Sequence, residues 1–383
     1  MTSARRIGGA FLRRLFGVTT MIAVSALPAL GQAPAVGKGA LIPPVELPGT
    51  ERLALHSEIT GQDYALSVSL PRGYESGSER FPVIYVVDGQ WDFTLVHAIY
   101  GQQYYDGFLP GAIIVGITWG GEKPDYDRRR AFDLTPTSAG QAERYGNAPK
   151  FLEFIEKEAI PFIEARYRTT KDERTLTGSS LGGLFTLYAL FNRPGLFNRY
   201  VLTSPSWHWD NRVLFTHGDR FAKSPLPRPV RVFMGVGEYE DVAGFEKVAA
   251  AIRGYGLAGL DLQTKVITGA GHSGAKTEGF TRGLQFVFAQ PCASVSPEAL
   301  QRLAGEYLVG TSTPVVVKIA AEDGSLVAYP PDGSKAGLCA DGDLDFHIVG
   351  QFLKVHFVQE PDKTVSGFRL EQYNGEVVAK RRK

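Results

Sequence analysis

Gly178-Ser-Ser180-Leu-Gly182 sets a serine between two glycines, after the β-prone stretch 174–177 and before the apolar run 184–191. That order predicts a strand, a sharp turn and a helix. The turn strains its central residue and lifts the side chain clear of the sheet; the flanking glycines have no Cβ to collide at the bend. Ser180 then stands at the first turn of a helix, where a free backbone N–H, that of Leu181 first, can hold a developing negative oxygen. Such an arrangement suits nucleophilic attack on a carbonyl. Gly-x-Ser-x-Gly also arises by chance, and a Gly/Ser-rich turn of this kind can bind phosphate or nothing.

A serine hydroxyl is a poor nucleophile near neutrality. It needs a histidine to take its proton and a carboxylate to orient that histidine. In this fold class the three follow in the order serine, acid, histidine, each at the carboxyl end of a strand. Of the seven histidines, His272 fits: Gly269-Ala-Gly-His-Ser-Gly274 follows the last strand of the main region and precedes its last helix. The acid is expected after the strand ending at Val236, where Gly237-Glu-Tyr-Glu-Asp241 offers three carboxylates. Glu240 is the first choice, Asp241 the second and Glu238 the third, although adjacent acids on a loop are often only solvated. A second oxyanion donor is expected from Asp88-Gly-Gln-Trp91, as the backbone N–H of Gln90 or Trp91; the competing reading is an ordinary Asp-Gly turn. Ser204-Pro-Ser-Trp-His-Trp-Asp210 follows the next strand, and Trp207, His208 and Trp209 are candidates to line the substrate pocket or simply to pack.

The elements that must carry these residues alternate. Residues 53–59 and 64–70 read as a hairpin; 81–87 and 111–117 are continuous apolar runs, as strands buried on both faces are. A helix over 147–167, interrupted or restarted at Pro161, precedes the strand that leads into Ser180. Strands at 199–203, 230–236 and 262–267 alternate with helices at 244–255 and 277–289. The pattern predicts an α/β fold with a mostly parallel sheet and an antiparallel edge. After a short helix at 297–303 only strands and turns follow, at 305–309, 315–320, 326–329, 344–348, 352–359 and 365–372, as in a small sheet or partial barrel.

The division expected is a secretory signal at 1–33, a linker at 34–50, the α/β domain at 51–291 and a small β domain at 297–383. The first segment has four arginines and no acid before residue 15, then an apolar stretch, then small residues for cleavage after Gly31 or Ala33. It predicts a periplasmic or secreted protein with no membrane span once the signal is cleaved. Net charge is +1 over 383 residues, which implies no nucleic-acid partner. Cys292 and Cys339 are the only cysteines; in an exported chain they can form a disulfide pinning the β module to the main domain, or stay unrelated thiols. There is no CxxC or Cys/His cluster, so neither a metal nor a cofactor is implied.

With these residues in hand, the stretch from about Leu53 to Ala289 resembles the putative esterase family of α/β-hydrolases, which includes enterochelin-type and esterase D-like enzymes. The likeness rests on residues 64–74, Val86-Val-Asp-Gly89, Arg130-Ala-Phe-Asp-Leu-Thr-Pro136, Gly178–Gly183, Ser204-Pro-Ser-Trp207 and Gly271-His272. It implies an α/β-hydrolase fold with Ser180 as nucleophile, His272 as base and Glu240 as acid, acting on a small-molecule ester, a siderophore among the possibilities. Many relatives have Asp where this loop offers Glu. Acyl transfer, peptide cleavage and non-catalytic binding stay open beside hydrolysis. Residues 303–382 resemble a lipocalin-like module.

Overall fold

The computed structural model describes residues 46–382, in two compact units, 49–290 and 291–382. The expected signal segment and most of the linker lie outside the described residues.

The first unit is built on one eight-stranded sheet. Its strands are β1 (Thr50–Ser57), β2 (Gln62–Ser69), β3 (Phe81–Val86), β4 (Ile113–Trp119), β5 (Thr169–Ser179), β6 (Arg199–Thr203), β7 (Val230–Gly237) and β8 (Leu260–Ile267). They lie in the order β1-β2-β4-β3-β5-β6-β7-β8. β1 pairs antiparallel with β2, and β2 with β4; every other pairing is parallel. This is the α/β-hydrolase arrangement, and its parallel part has the continuous apolar strands that burial on both faces demands: all seven residues of β4 are buried.

Helices α1 (Gly89–Tyr105), α2 (Tyr126–Asp133), α4 (Leu181–Asn192), α5 (Trp209–Phe221), α6 (Val242–Gly254) and α7 (Ala275–Phe288) fill the connections. Between α2 and α4 comes α3, residues 148–166, which runs from Ala148–Phe154 through a single π turn, Ile155–Ala159, into Ile160–Arg166. Pro161, which has no N–H to give to the preceding turn, comes directly after that π turn, inside a helix that continues on both sides. Three helices that the apolar pattern does not mark are present: α1 begins in the Asp88-Gly-Gln-Trp91 loop itself, α2 is too charged to show a stripe, and α5 starts across three left-handed residues, Asp210 to Arg212.

One buried acid ties α2 to the sheet. Asp133, fully buried, accepts from Tyr64 Oη at 2.8 Å, Trp119 Nε1 at 2.7 Å, Asn147 Nδ2 at 2.6 Å and Gln62 Nε2 at 3.1 Å. Burial still pushes its carboxyl above the ordinary range, against those four bonds. Arg130, one turn earlier on α2, is thereby held towards the carboxyl end of β3.

The second unit begins with α8 (Pro297–Leu303) and continues as β9 (Gly305–Val309), β10 (Val315–Glu322), β11 (Ser325–Tyr329), β12 (Ala336–Ala340), β13 (Asp345–Ile348), β14 (Leu353–Gln359), β15 (Val365–Gln372) and β16 (Gly375–Arg381). Each strand pairs antiparallel with the next, and β16 pairs with β9, so the sheet closes into a barrel. The small sheet or partial barrel expected above lacked β12, made mostly of small residues, and β16. Inside, the rings of Tyr307, Phe346, Phe357 and Phe368 pack with centroids 5.0–5.9 Å apart, so aromatic side chains fill this core.

Cys292 and Cys339 form a disulfide, with Cα atoms 5.0 Å apart. Both belong to the second unit: Cys339 is in β12 and Cys292 in the segment just before α8. The bridge therefore does not pin this unit to the first; it clamps the lead-in segment to its own barrel, beside the bond from Ala293 N–H to Ala340 O at 2.7 Å. Removing it frees a 47-residue loop in the unfolded chain. Cys292→Ser/Cys339→Ser is expected to cost the barrel about 2–4 kcal/mol, read as faster amide hydrogen exchange in β12 and β13. Unchanged exchange would show that the hydrogen-bonded lead-in suffices without the bridge.

Candidate active site

Ser180 lies between β5 and α4 at φ 59°, ψ −120°, a conformation that L-residues avoid. The turn is tight enough that a methyl on Gly178 would overlap the Gly182 carbonyl. Neighbouring backbone holds the strained residue: Ser180 N–H donates to Thr203 O at 3.1 Å, and Ser180 O accepts from Leu184 N–H at 2.9 Å and Ser206 N–H at 3.1 Å. The serine is partly exposed. Leu181 is the first residue of α4, so its N–H has no acceptor within the helix.

The three acids after β7 are sorted by what they touch. Glu240 Oε2 meets His272 Nδ1 at 2.6 Å, while its Oε1 accepts from Ser204 Oγ at 2.6 Å and Gly237 N–H at 2.8 Å. Asp241 caps α6, accepting from Gly244 N–H at 2.9 Å. Glu238 accepts from Gly269 N–H at 2.6 Å and so laces the acid loop to the histidine loop. Burial would raise the Glu240 carboxyl, but the bonds from Ser204, His272 and Gly237 outweigh it and hold the group below the usual carboxylate range. Glu240 is thus an anion at neutral pH and can only accept. His272 Nδ1 must carry the proton, which leaves Nε2 as the basic nitrogen. About half of the His272 side chain is exposed.

Ser204 was not legible as part of this apparatus. It sits at the end of β6 in the left-handed region, φ 46°, 3% exposed, and its hydroxyl is the second clamp on the acid. The motif Ser204-Pro-Ser-Trp207 is visible in sequence, but nothing local says that the hydroxyl turns towards a residue 36 positions on.

The loop after β3 is the start of α1. Asp88 is its left-handed N-cap residue, φ 56°. Trp91 N–H donates to Asp88 O at 2.9 Å, so it is spent inside the first turn of α1, and of the two expected donors Gln90 N–H is the one left available. The Trp91 side chain is half-exposed.

Trp207 and Trp209 pack against the main core. The Trp207 ring fills the gap left by Gly244 on α6 and borders a void of about 10 Å³ among Leu187, Phe191 and Tyr255, so it supports packing. Trp209 Nε1 donates to Thr137 Oγ1 at 3.2 Å, and its ring meets Tyr145 edge-on at 4.9 Å. His208 is exposed.

The model of the family described as Putative esterase matches residues 57–266. The chain is 37% identical over 187 residues to the siderophore triacetylfusarinine C esterase of Aspergillus fumigatus, covering 47% of this chain and 64% of that protein. It is 31% identical over 209 residues to the ferri-bacillibactin esterase BesA of Bacillus subtilis, covering 51% and 72%. Among solved structures, the BES protein of Bacillus cereus superposes with TM-score 0.61 at 26% identity, over 66% of this chain and all of that one. The match spans just under two thirds of the Aspergillus relative's own length. By the extent of the family match and by the likeness to BesA, the chain belongs to the Putative esterase family.

Proposed function

We propose that this protein hydrolyses small-molecule carboxylic esters through a Ser180–His272–Glu240 triad and an acyl-enzyme, and that siderophore esters are among its substrates. The single observation that carries the reading is the Glu240–His272 pair at 2.6 Å, on loops after β7 and β8 of the same sheet whose β5 leads into Ser180.

Ser180 Oγ attacks the ester carbonyl carbon while its proton passes to His272 Nε2. The carbonyl electron pair moves onto oxygen, and that oxyanion accepts from Leu181 N–H and Gln90 N–H. Collapse of the tetrahedral centre breaks the bond to the alcohol oxygen, which takes the proton from Nε2. Water then gives a proton to Nε2 and attacks the acyl carbon. Ser180 leaves as the second tetrahedral centre collapses and recovers its proton, so the products are an acid and an alcohol. Glu240 stays ionised throughout and steadies the imidazolium. His208 and Trp209, near the start of α5, are the pocket-lining candidates that keep a free face. Export by residues 1–33 is part of this reading and would bring the site to siderophores outside the cytoplasm.

Triacetylfusarinine C and ferri-bacillibactin, named for two relatives, are the first substrates to offer, beside p-nitrophenyl butyrate. The expected result is hydrolysed siderophore by mass spectrometry and a fluorophosphonate adduct on Ser180. Turnover of the nitrophenyl ester alone would remove the siderophore part. No turnover and no adduct would remove the esterase reading.

A further inference from the structure

Two carboxylates are buried one turn apart at the start of α1, and each is met by a cation from a different element. Asp88, 2% exposed, accepts from Arg130 Nε at 2.9 Å and a second Arg130 guanidinium nitrogen at 2.7 Å. Asp92, also 2% exposed, accepts from Lys276 Nζ at 2.8 Å. Its other oxygen, Oδ2, has no hydrogen-bond partner among the described residues. Between them in sequence lies Gln90, whose N–H is the oxyanion donor of the reading above.

Neither acid is needed to make a helix start. Asp88 forms no side-chain cap, and Asp92 is spent on Lys276. A buried carboxylate with one oxygen unpaired is a cost that an apolar residue would avoid. Burial duly raises the Asp92 carboxyl above its usual range, with Lys276 opposing. What the four residues connect is the three parts of the site. The Asp88 carboxylate packs on the elbow: a methyl on Gly182 would lie 3.2 Å from Asp88 Oδ2. Gly89, next in line, lies so close to β4 that a methyl there would come within 2.8 Å of Gly116 C, which fixes how deep α1 starts. Lys276 is in the first turn of α7, four residues after His272.

We propose that Lys276 and Arg130 are positioning residues for the hydrolysis. By neutralising Asp92 and Asp88 they fix the first turn of α1, and with it the Gln90 N–H, against the Ser180 elbow, and Lys276 ties that turn to the histidine loop. Charge removed from either cation leaves a buried anion next to the oxyanion donor. Asp88 or Asp92 then turns towards water, and Gln90 moves with it. A donor displaced by about 1 Å costs on the order of 100-fold in rate.

This inference rests on the esterase reading, and the test separates the two. Full-length wild type, Lys276→Gln, Asp92→Asn and the double variant are compared for kcat and KM on p-nitrophenyl butyrate, rate of fluorophosphonate capture, and thermal midpoint. Rates are expressed per labelled site, so unfolded protein does not count. Lys276→Gln is expected to lower kcat and capture rate about 10- to 100-fold with KM within about twofold. Asp92→Asn on top of it removes the orphaned anion and should bring kcat back to within about threefold of wild type. Wild-type kcat in the single variant, or a double variant as slow as the single, overturns the positioning role while Ser180-dependent turnover keeps the esterase reading alive. A wild type that neither turns over nor labels takes both down.

Discussion

Ser180→Ala is expected to lower ester hydrolysis by about 10⁴- to 10⁶-fold and to abolish capture by fluorophosphonates. In the proposed reaction its side chain supplies the attacking oxygen, and alanine has none to offer. The substitution is clean. Alanine bears the same backbone penalty at φ 59° as serine, and the bonds that hold the turn, to Thr203, Leu184 and Ser206, are all backbone. The thermal midpoint should therefore stay near that of wild type while activity disappears. His272→Ala should cost nearly as much, and the double variant no more than either single, because the two act as one unit. A folded Ser180→Ala protein retaining more than about one per cent of the wild-type rate would sink the assignment of the nucleophile.

Glu240→Gln should be almost as damaging, at about 10³- to 10⁴-fold in kcat, although it changes one atom. The reason lies in which partners can adapt. Gly237 N–H only donates, and it points at Oε1 at 2.8 Å, so the amide oxygen of a glutamine has to occupy that place. The NH2 group then faces His272 Nδ1, which must become an acceptor. The imidazole proton is thereby driven to Nε2, the nitrogen that has to take the proton of Ser180. The variant is thus expected to fold, to bind ester with little change in KM, and to fail in the chemical step. Comparison with Asp241→Asn sharpens it: that residue only caps α6, so its loss should show as about 1 kcal/mol of stability with kcat kept. Equal kcat losses in the two variants would mean that the acid has been misassigned.

The order in which these features became visible has a physical basis. The elbow and the histidine loop are local: glycines at fixed spacing around one residue, at the end of an apolar run. The choice among Glu238, Glu240 and Asp241 is not local, since three neighbouring side chains leave one loop in different directions, and only the partners just after β6 and β8, at the end of β7 and on α6 distinguish them. The same holds for Ser204, Arg130 and Lys276, whose roles are set by residues 36, 42 and 184 positions away. Helix α2, Tyr-Asp-Arg-Arg-Arg-Ala-Phe-Asp, has no apolar stripe because its one fully buried residue is the charged Asp133. Strand β12, Ala-Gly-Leu-Cys-Ala, lacks the β-branched residues that mark a strand, and β16, Gly-Glu-Val-Val-Ala-Lys-Arg, has charges at both ends and only one buried residue, so no apolar alternation marks it.

The seam between β9 and β16 has a consequence for how the chain acquires its structure. All the parallel pairings of the catalytic sheet are complete once residue 267 has been made, so that sheet can assemble while later residues are still being synthesised. The barrel cannot behave in this way. Val309 waits for Ala379, its partner across the closure, some seventy residues downstream, and until then β9 carries an unsatisfied row of backbone donors and acceptors. A ribosome stall or a protease cut anywhere in β15 or β16 would thus release a chain with a finished catalytic sheet and a sticky, unclosed meander.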